Sequence, residues 1–367
     1  MMKFFPGIVQ YVILILVIFP LLSCCRKNPP QKENDRGYVR PTIVSLTSPQ
    51  QNTVIPCGDS VRIAYTMNKA TRIDSVAVYN GKDHARTVTG DPGQLFWNSG
   101  TSKMGQTTLR VTVYYDDSLQ ESHNINMVIL SDIEPRQYEY RVAGKFPHDD
   151  EAYTQGLVYD NDFLYESTGI KGKSSVRIVN INTGKPNKLV PVPANFFGEG
   201  IALFNDQIYQ ITYTEQVGFV YDKKTLEQIR SFDYQFKEGW GLATDGKNLI
   251  MSDGSSKLYF IEPEYFTQID EINVFDNKGM IDSLNEIEYI KGKILANVYG
   301  KTYIVIIDPA TGKVLGKADF AKLLPKGFEN DYGRVLNGIA YNPATGHLYI
   351  TGKNWPVLYE IELLPSI

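Results

Sequence analysis

Hydrophobic positions follow two rhythms along the chain. From residue 42 to about 131 they alternate with polar ones in short runs, as in Ser60-Val61-Arg62-Ile63-Ala64-Tyr65, Ser75-Val76-Ala77-Val78-Tyr79 and Leu109-Arg110-Val111-Thr112-Val113-Tyr114. A period of two sends successive side chains to opposite faces of an extended strand. Turn-forming clusters, Asn80-Gly81-Lys82-Asp83 and Gly90-Asp91-Pro92-Gly93, separate the runs. Short strands and turns over this length predict a small immunoglobulin-like β-sandwich across residues 42–131. It offers no chemistry: His84 and His123 are isolated, and a lone histidine is ordinarily a surface or internally satisfied residue. The segment reads as a spacer or docking module.

After Asp132 to Gln137 the rhythm changes to a repeat. A distinctive residue is followed by Gly or Glu and then by an apolar strand, in Gln155-Gly156-Leu157, Glu199-Gly200-Ile201, Trp240-Gly241-Leu242, Asn285-Glu286-Ile287 and Asn337-Gly338-Ile339, at spacings of 44, 41, 45 and 52. Each frame leads into a second strand, such as Gln207-Ile208-Tyr209-Gln210 or Lys293-Ile294-Leu295-Ala296, and then into a third, such as Gly218-Phe219-Val220-Tyr221. Turns such as Asn182-Thr183-Gly184-Lys185 lead into a fourth. Four strands per repeat of this length predict a β-propeller, here five-bladed over residues 138–367. The last unit, Leu336 to Leu363, shows only three strands, and Tyr138-Glu139-Tyr140-Arg141-Val142-Ala143 is a spare strand ahead of the first unit. Pairing the two supplies the missing outer strand and removes an exposed edge.

Equivalent positions in a propeller point the same way, so Gln155, Glu199, Trp240, Asn285 and Asn337 are expected at one mouth of the central channel. A purely structural frame predicts five similar residues; the set instead holds one acid, three amides and an aromatic. Unlike polar groups converging on one mouth suggest a site. Glu199 stands between Gly198 and Gly200, where the absence of side chains leaves room for a ligand to approach. One carboxylate among amides is a poor cage for Ca²⁺ and lacks the second carboxylate of a glycosidase. A Ser-His-Asp triad has no suitable base, because His148 and His347 lie outside the frames. What remains is a single acid/base with orienting amides and an aromatic wall, suited to a substrate that carries both nucleophile and electrophile.

Composition sets the context. At 367 residues the chain exceeds one typical domain, and a formal charge of −4 without a clustered basic face argues against a nucleic-acid partner. Lys3 precedes an apolar run from Ile8 to Leu22, which is short for a bilayer span of about 20 residues and suits a signal-peptide core. Leu21-Leu22-Ser23-Cys24 resembles the bacterial lipobox, so residues 1–23 are expected to be a lipoprotein signal peptide, with Cys24 lipidated as the first residue of an exported, membrane-anchored protein. An uncleaved anchor is the alternative. Residues 24–41, polar with Pro29-Pro30 and charges of both signs, read as a flexible tether. Of the three cysteines only Cys57 lies downstream, which rules out a disulfide framework and a Cys/His zinc pattern.

Several motifs occur in order over the repeat region: Tyr153-Thr154-Gln155-Gly156-Leu157, Phe197-Gly198-Glu199-Gly200, Gly239-Trp240-Gly241-Leu242 with Thr244-Asp245-Gly246, Leu284-Asn285-Glu286-Ile287-Glu288-Tyr289, Ala296-Asn297-Val298, Leu336-Asn337-Gly338-Ile339-Ala340, and Thr351-Gly352-Lys353 with Trp355-Pro356. Together they resemble the plant-type glutaminyl cyclases; the N-terminal β-domain lies outside the match. The resemblance implies a cofactor-free, metal-free five-bladed propeller, expected to be monomeric, that converts the N-terminal glutamine of peptides or proteins to pyroglutamate with release of ammonia. It places the catalytic acid at Glu199 and substrate contacts at Gln155, Phe197, Trp240, Asn285 and Lys353; Tyr153, Tyr213, Tyr299 and the ring residue Asn337 are expected to join them in binding substrate. Tyr153 stands where that family commonly has Phe, and Tyr213 and Tyr299 where it often has Trp, implying a more polar pocket wall. From the residues alone, Lys353 serves equally as an ion-pair partner of Glu199 and Trp240 as a packing residue. A non-catalytic surface propeller binding a peptide or glycan stays open as a rival, as does a lactonase-like metal propeller, which a single ring carboxylate weakens.

Overall fold

The computed structural model describes residues 42–365, apart from residues 70, 329–330 and 332. The expected signal peptide, Cys24 and the tether lie outside them. Residues 43–367 form one compact unit. Among the described residues there is no α-helix, only a single 3₁₀ turn at Ala321–Leu323.

The alternating segment folds as two facing sheets. One has three strands, in the order Val44–Ser48, Ser60–Met67, Gln94–Asn98; the other has five, in the order Thr53–Pro56, Leu119–Leu130, Gly105–Tyr115, Ile73–Asn80, Asp83–Thr89. Their inward side chains make one core: Val61, Ile63, Leu95 and Trp97 from the first sheet meet Val76, Val78, Leu109, Val111, Val113 and Met127 from the second. These are the every-second-residue positions of the sequence pattern, so the alternation fixes which face each strand buries.

The repeats form the larger part. Three four-stranded sheets begin at Thr154–Asp160, Gly198–Phe204 and Leu242–Thr244. An eight-stranded sheet comprises the fourth unit, Leu284–Ile290 to Val314–Asp319, and the fifth, Leu336–Tyr341, Leu348–Gly352 and Val357–Pro365. The strand Arg136–Pro147 lies between them. The five innermost strands pack side by side, and the last packs against the first, closing a ring. This is a propeller.

Each unit is buried on both faces, so its inner strands read as continuous apolar runs. Ile201 packs with Tyr165 and Val176 of the unit before it, while the adjacent Ala202 packs with Leu242 and Met251 of the unit after. Leu157 and Val179 of the first unit meet Ala340, Tyr349 and Leu358 of the fifth, which seals the ring with the same kind of core. The frame glycines serve this packing. A Cβ on Gly200 would stand 2.4 Å from the Leu242 nitrogen, and one on Gly241 would stand 2.1 Å from the Asn285 carbonyl oxygen. Neighbouring inner strands are too close for any side chain there. The room beside Glu199 therefore belongs to the next strand rather than to a ligand.

The spare strand closes the ring. Leu358 pairs with Phe146, Tyr359 with Lys145 and Leu363 with Tyr140, antiparallel, from Pro147 back to Tyr138. The start of the same strand, Arg136 to Tyr138, runs parallel to Gly316–Ala318 of the fourth unit. The sandwich is tied to the third and fourth units: Lys103 Nζ lies 3.0 Å from Asp270, Asn273 Nδ2 donates to the Met104 carbonyl at 3.0 Å, and Lys313 Nζ pairs with Asp132 at 2.6 Å.

Removing residues before Phe146 deletes nearly all of the closing ladder. At about 1 kcal/mol net per hydrogen bond, that loss rivals a net stability of about 5–15 kcal/mol. A chain beginning at Phe146 is expected to melt far below one beginning at Asp132 in thermal unfolding. Equal melting temperatures would show that the strand does not hold the ring.

Candidate active site

Four of the five ring residues are delivered through β-bulges, while Trp240 stands two residues ahead of the strand Leu242–Thr244. In the first unit Thr154 pairs with Thr168 and Gly156 with Ser167, which leaves Gln155 out of the ladder. Glu199 and Gly200 are skipped between Gly198 and Ile201, Asn285 and Glu286 between Leu284 and Ile287, and Asn337 and Gly338 between Leu336 and Ile339. A bulge frees a residue from pairing and re-aims its side chain, here toward the mouth of the channel.

A cavity of about 280 Å³ opens there, lined by Tyr153, Gln155, Phe197, Glu199, Tyr213, Trp240, Asn285, Tyr299 and Lys353. Five aromatic rings form its wall in sequence: Tyr153 meets Phe197 edge-on at 6.2 Å between centroids, Phe197 meets Tyr213 at 5.8 Å, Tyr213 meets Trp240 at 6.4 Å, and Trp240 meets Tyr299 at 5.6 Å. The Trp240 face rests on Gly254, where a Cβ would come within 2.4 Å of the indole. The Trp240 Nε1–H donates to Glu238 at 2.9 Å, which fixes the ring's rotation.

The polar groups form a chain. Lys353 Nζ donates to Gln155 Oε1 at 2.6 Å, and Gln155 Nε2 donates to Glu199 Oε1 at 3.0 Å. The amide therefore stands between the ammonium and the carboxylate, in place of the direct Lys353–Glu199 ion pair open from sequence. Lys353 Nζ also lies over the Tyr153 and Tyr299 rings, at 4.7 and 5.4 Å, positions that favour a cation. Burial pushes the Glu199 carboxyl well above its ordinary range, with Glu215 and Glu238 adding to the shift and Lys353 opposing it. Burial likewise pulls the Lys353 amine down to about 8 against the pull of Glu199. The amine is thereby poised to exchange a proton near neutrality, and the acid holds its proton more tightly than an ordinary carboxyl does.

Nine of the ten ring and wall residues expected from sequence thus converge on the cavity. Asn337 does not line it. Its Nδ2 donates to the Thr154 carbonyl at 2.9 Å and to Gln155 Oε1 at 3.4 Å, so it steadies Gln155 from behind. Asn285 does line it, and its Oδ1 is buried without a hydrogen-bond partner, an acceptor open to an N–H from a ligand. Glu286 was hidden in the sequence because it occupies the glycine slot of the frame. Its carboxyl fills the channel and accepts the backbone N–H of Ile339 at 2.9 Å and of Leu157 at 3.4 Å, tying the fourth unit to the fifth and first. An acid where the other four frames carry glycine was the available signal.

Comparison with known proteins agrees with this geometry. Residues 109–363 match the family model described as glutamine cyclotransferase. The chain belongs to the glutamine cyclotransferase family. Residues 43–113 match a second model, a bacterial Ig domain, which agrees with the sandwich. The glutaminyl-peptide cyclotransferase of Arabidopsis thaliana is 42% identical over 250 residues, covering 67% of this chain and 74% of that one. Myxococcus xanthus glutaminyl cyclase superposes with a TM-score of 0.59 at 32% identity, over 64% of this chain and all of that one. The cyclotransferase match begins at residue 109, so it takes in the sandwich strand Leu119–Leu130 and most of Gly105–Tyr115 as well as the propeller.

Glu286 makes stability depend on pH. Burial, then the neighbouring Glu288, raises its carboxyl well above the ordinary value, against the two N–H donors. The folded state therefore holds this proton more tightly than the unfolded chain, and the contribution to stability falls as pH rises from about 4.5 through the raised value. Glu286→Gln mimics the protonated acid, so its melting temperature is expected to gain on wild type between pH 5 and 8. Parallel melting curves across that range would show the carboxyl to be ionised throughout.

Proposed function

We propose that this cyclotransferase-family chain is a glutaminyl-peptide cyclotransferase that converts the N-terminal glutamine of peptides or proteins to pyroglutamate and ammonia. The observation that carries the proposal is the buried Glu199, its proton affinity raised, held by Gln155 in an aromatic-walled cavity of about 280 Å³. In the reaction the α-amine nitrogen attacks the γ-carboxamide carbon, closing a five-membered lactam. The amine, with an ordinary pKa of about 7.7–8.0, gives its proton to Glu199 as the C–N bond forms. Glu199 returns it to the departing nitrogen, which leaves as ammonia, so no proton is gained or lost overall. The Lys353 ammonium faces the carbonyl oxygen as negative charge develops there, and the open Asn285 oxygen accepts from the amine or the carboxamide. The rings hold the side chain curled, and intramolecular attack gains most from such orientation.

Around this site we propose a five-bladed propeller over residues 138–367, a sandwich over 42–131, and a monomer as the active form. We further propose export as a lipoprotein, with signal peptide 1–23 removed and Cys24 lipidated. Cys24→Ala is expected to move the protein out of the membrane fraction; unchanged fractionation would overturn the lipobox proposal.

Ammonia release from Gln-initiated dipeptide amides, with and without EDTA, tests the activity. Turnover that survives the chelator supports it, and no turnover on any such peptide would favour a peptide- or glycan-binding module. Glu199→Gln keeps the shape but removes the base, so kcat is expected to fall about 10²–10⁴-fold with KM little changed. The acid limb of the wild-type profile should lie well above the ordinary carboxylate range, because Glu199 must be ionised to accept the proton. Trp240→Ala should instead raise KM through lost stacking area. Wild-type turnover with a lowered Tm in Glu199→Gln would remove Glu199 from the mechanism.

A further inference from the structure

Behind the site lies a second, closed cluster of ionisable groups that the reaction does not touch. His148, directly after the closing strand, is buried, as is Glu166 on the second strand of the first unit. The His148 Nδ1 lies 2.8 Å from the Trp355 carbonyl oxygen and Nε2 lies 3.1 Å from Glu166 Oε1. A carbonyl only accepts, so Nδ1 carries a hydrogen. Glu166 Oε1 also accepts the Thr154 hydroxyl at 2.7 Å, so Nε2 completes the set as a donor. The arrangement calls for an imidazolium against a carboxylate. Burial alone lowers the imidazole's proton affinity, but the charge and hydrogen bond of Glu166, the Trp355 carbonyl and Asp149 together leave it raised. Asp149 is itself held by Arg177 at 2.6 Å, and Arg177 stands 3.9 Å from Glu166 Oε2.

Each end of this pair reaches one wall of the cavity. Through Thr154 it holds the residue directly before Gln155. Through the Trp355 carbonyl it holds the turn that carries Lys353, which is pinned further by Lys353 N to the Val335 oxygen and Asn354 N to the Ala152 oxygen. The Lys353–Gln155 contact at 2.6 Å bridges these walls on the cavity side. We propose that His148 and Glu166 are positioning residues, a buried ion pair that fixes the separation of the Gln155 and Lys353 walls and thereby the placement of Glu199. The proposal rests on the cyclotransferase function for its kinetic consequences, but not for its geometric one. It also gives the closing strand a second role, since the strand that seals the ring delivers His148 to the back of the site.

The test uses the full chain with Glu166→Gln, Thr154→Val and Thr154→Ser, the last two to avoid breaking a buried charge pair. On a Gln-initiated peptide, Glu166→Gln and Thr154→Val are expected to lower kcat about 10- to 100-fold with KM within about two-fold. Thr154→Ser, which restores the hydroxyl, should recover most of the rate. Independently of turnover, trace acetylation of Lys353 across pH 6–10, read by mass spectrometry, should show a midpoint near 8 in wild type. That midpoint should climb toward an ordinary lysine's in Glu166→Gln and Thr154→Val, as the walls part and water enters. A lowered Tm with unchanged kcat and an unchanged Lys353 midpoint would reduce the pair to a structural brace and overturn the proposal. A wild-type protein inactive on all Gln peptides would defeat the proposed function, while the Lys353 midpoints would still decide the positioning role.

Discussion

A ring of sheets holds its shape only if its last sheet is sealed to its first. In this chain one strand, Arg136–Pro147, does the sealing by pairing with Val357–Pro365 along almost its whole length. Everything inside the ring depends on that pairing. The inner strands press together closely enough that glycine is required at Gly200 and Gly241, and such contacts persist only while the circumference is fixed. The cavity is the mouth of that closed channel, so its dimensions are set by the ring together with the residues that stand just beyond the strand ends, such as Tyr153, Phe197 and Lys353. The seal also ends one residue before His148, so closure and the setting of the site are mechanically continuous.

The repeat was legible because propeller strands are buried on both faces. Ile201 and Ala202 serve different neighbours, and such pairs write continuous apolar runs at a regular period. The site was legible because equivalent positions carry unlike residues, which packing alone gives no reason for. The bulges were not legible, since they are mismatches between two strands and neither strand alone records them. The glycines beside Glu199 suggested ligand access; Gly200 clears the next inner strand instead, and Gly198 clears the Thr168 carbonyl and the Gln210 amide, which only the ring geometry shows. Asn337 illustrates the same limit: it occupies a ring position, yet its amide turns to the Thr154 carbonyl and Gln155 rather than to the cavity. The ties between sandwich and propeller, such as Lys103 to Asp270, join residues far apart in sequence and leave no periodic trace.

The buried glutamates show how environment divides one residue type among several tasks. Glu166, Glu199 and Glu286 are all buried, and desolvation pushes each toward the neutral acid. Glu166 ends below its ordinary value because His148 lies in direct contact, Arg177 stands nearby and Thr154 donates to it, so it stays charged. Glu286 has only backbone N–H donors and a second acid for company, so it ends high while tying neighbouring units together. Glu199 is raised like Glu286, but unlike Glu286 it has a cation opposing the shift. Its cation, Lys353, is held off by the Gln155 amide, close enough to temper the shift but without the direct bond that would lock the carboxylate in its charged form. A direct Lys353–Glu199 bond would lower the acid's proton affinity, and removing Lys353 altogether would raise it further. The interposed glutamine therefore sets how far the ammonium tempers the raised proton affinity of the acid.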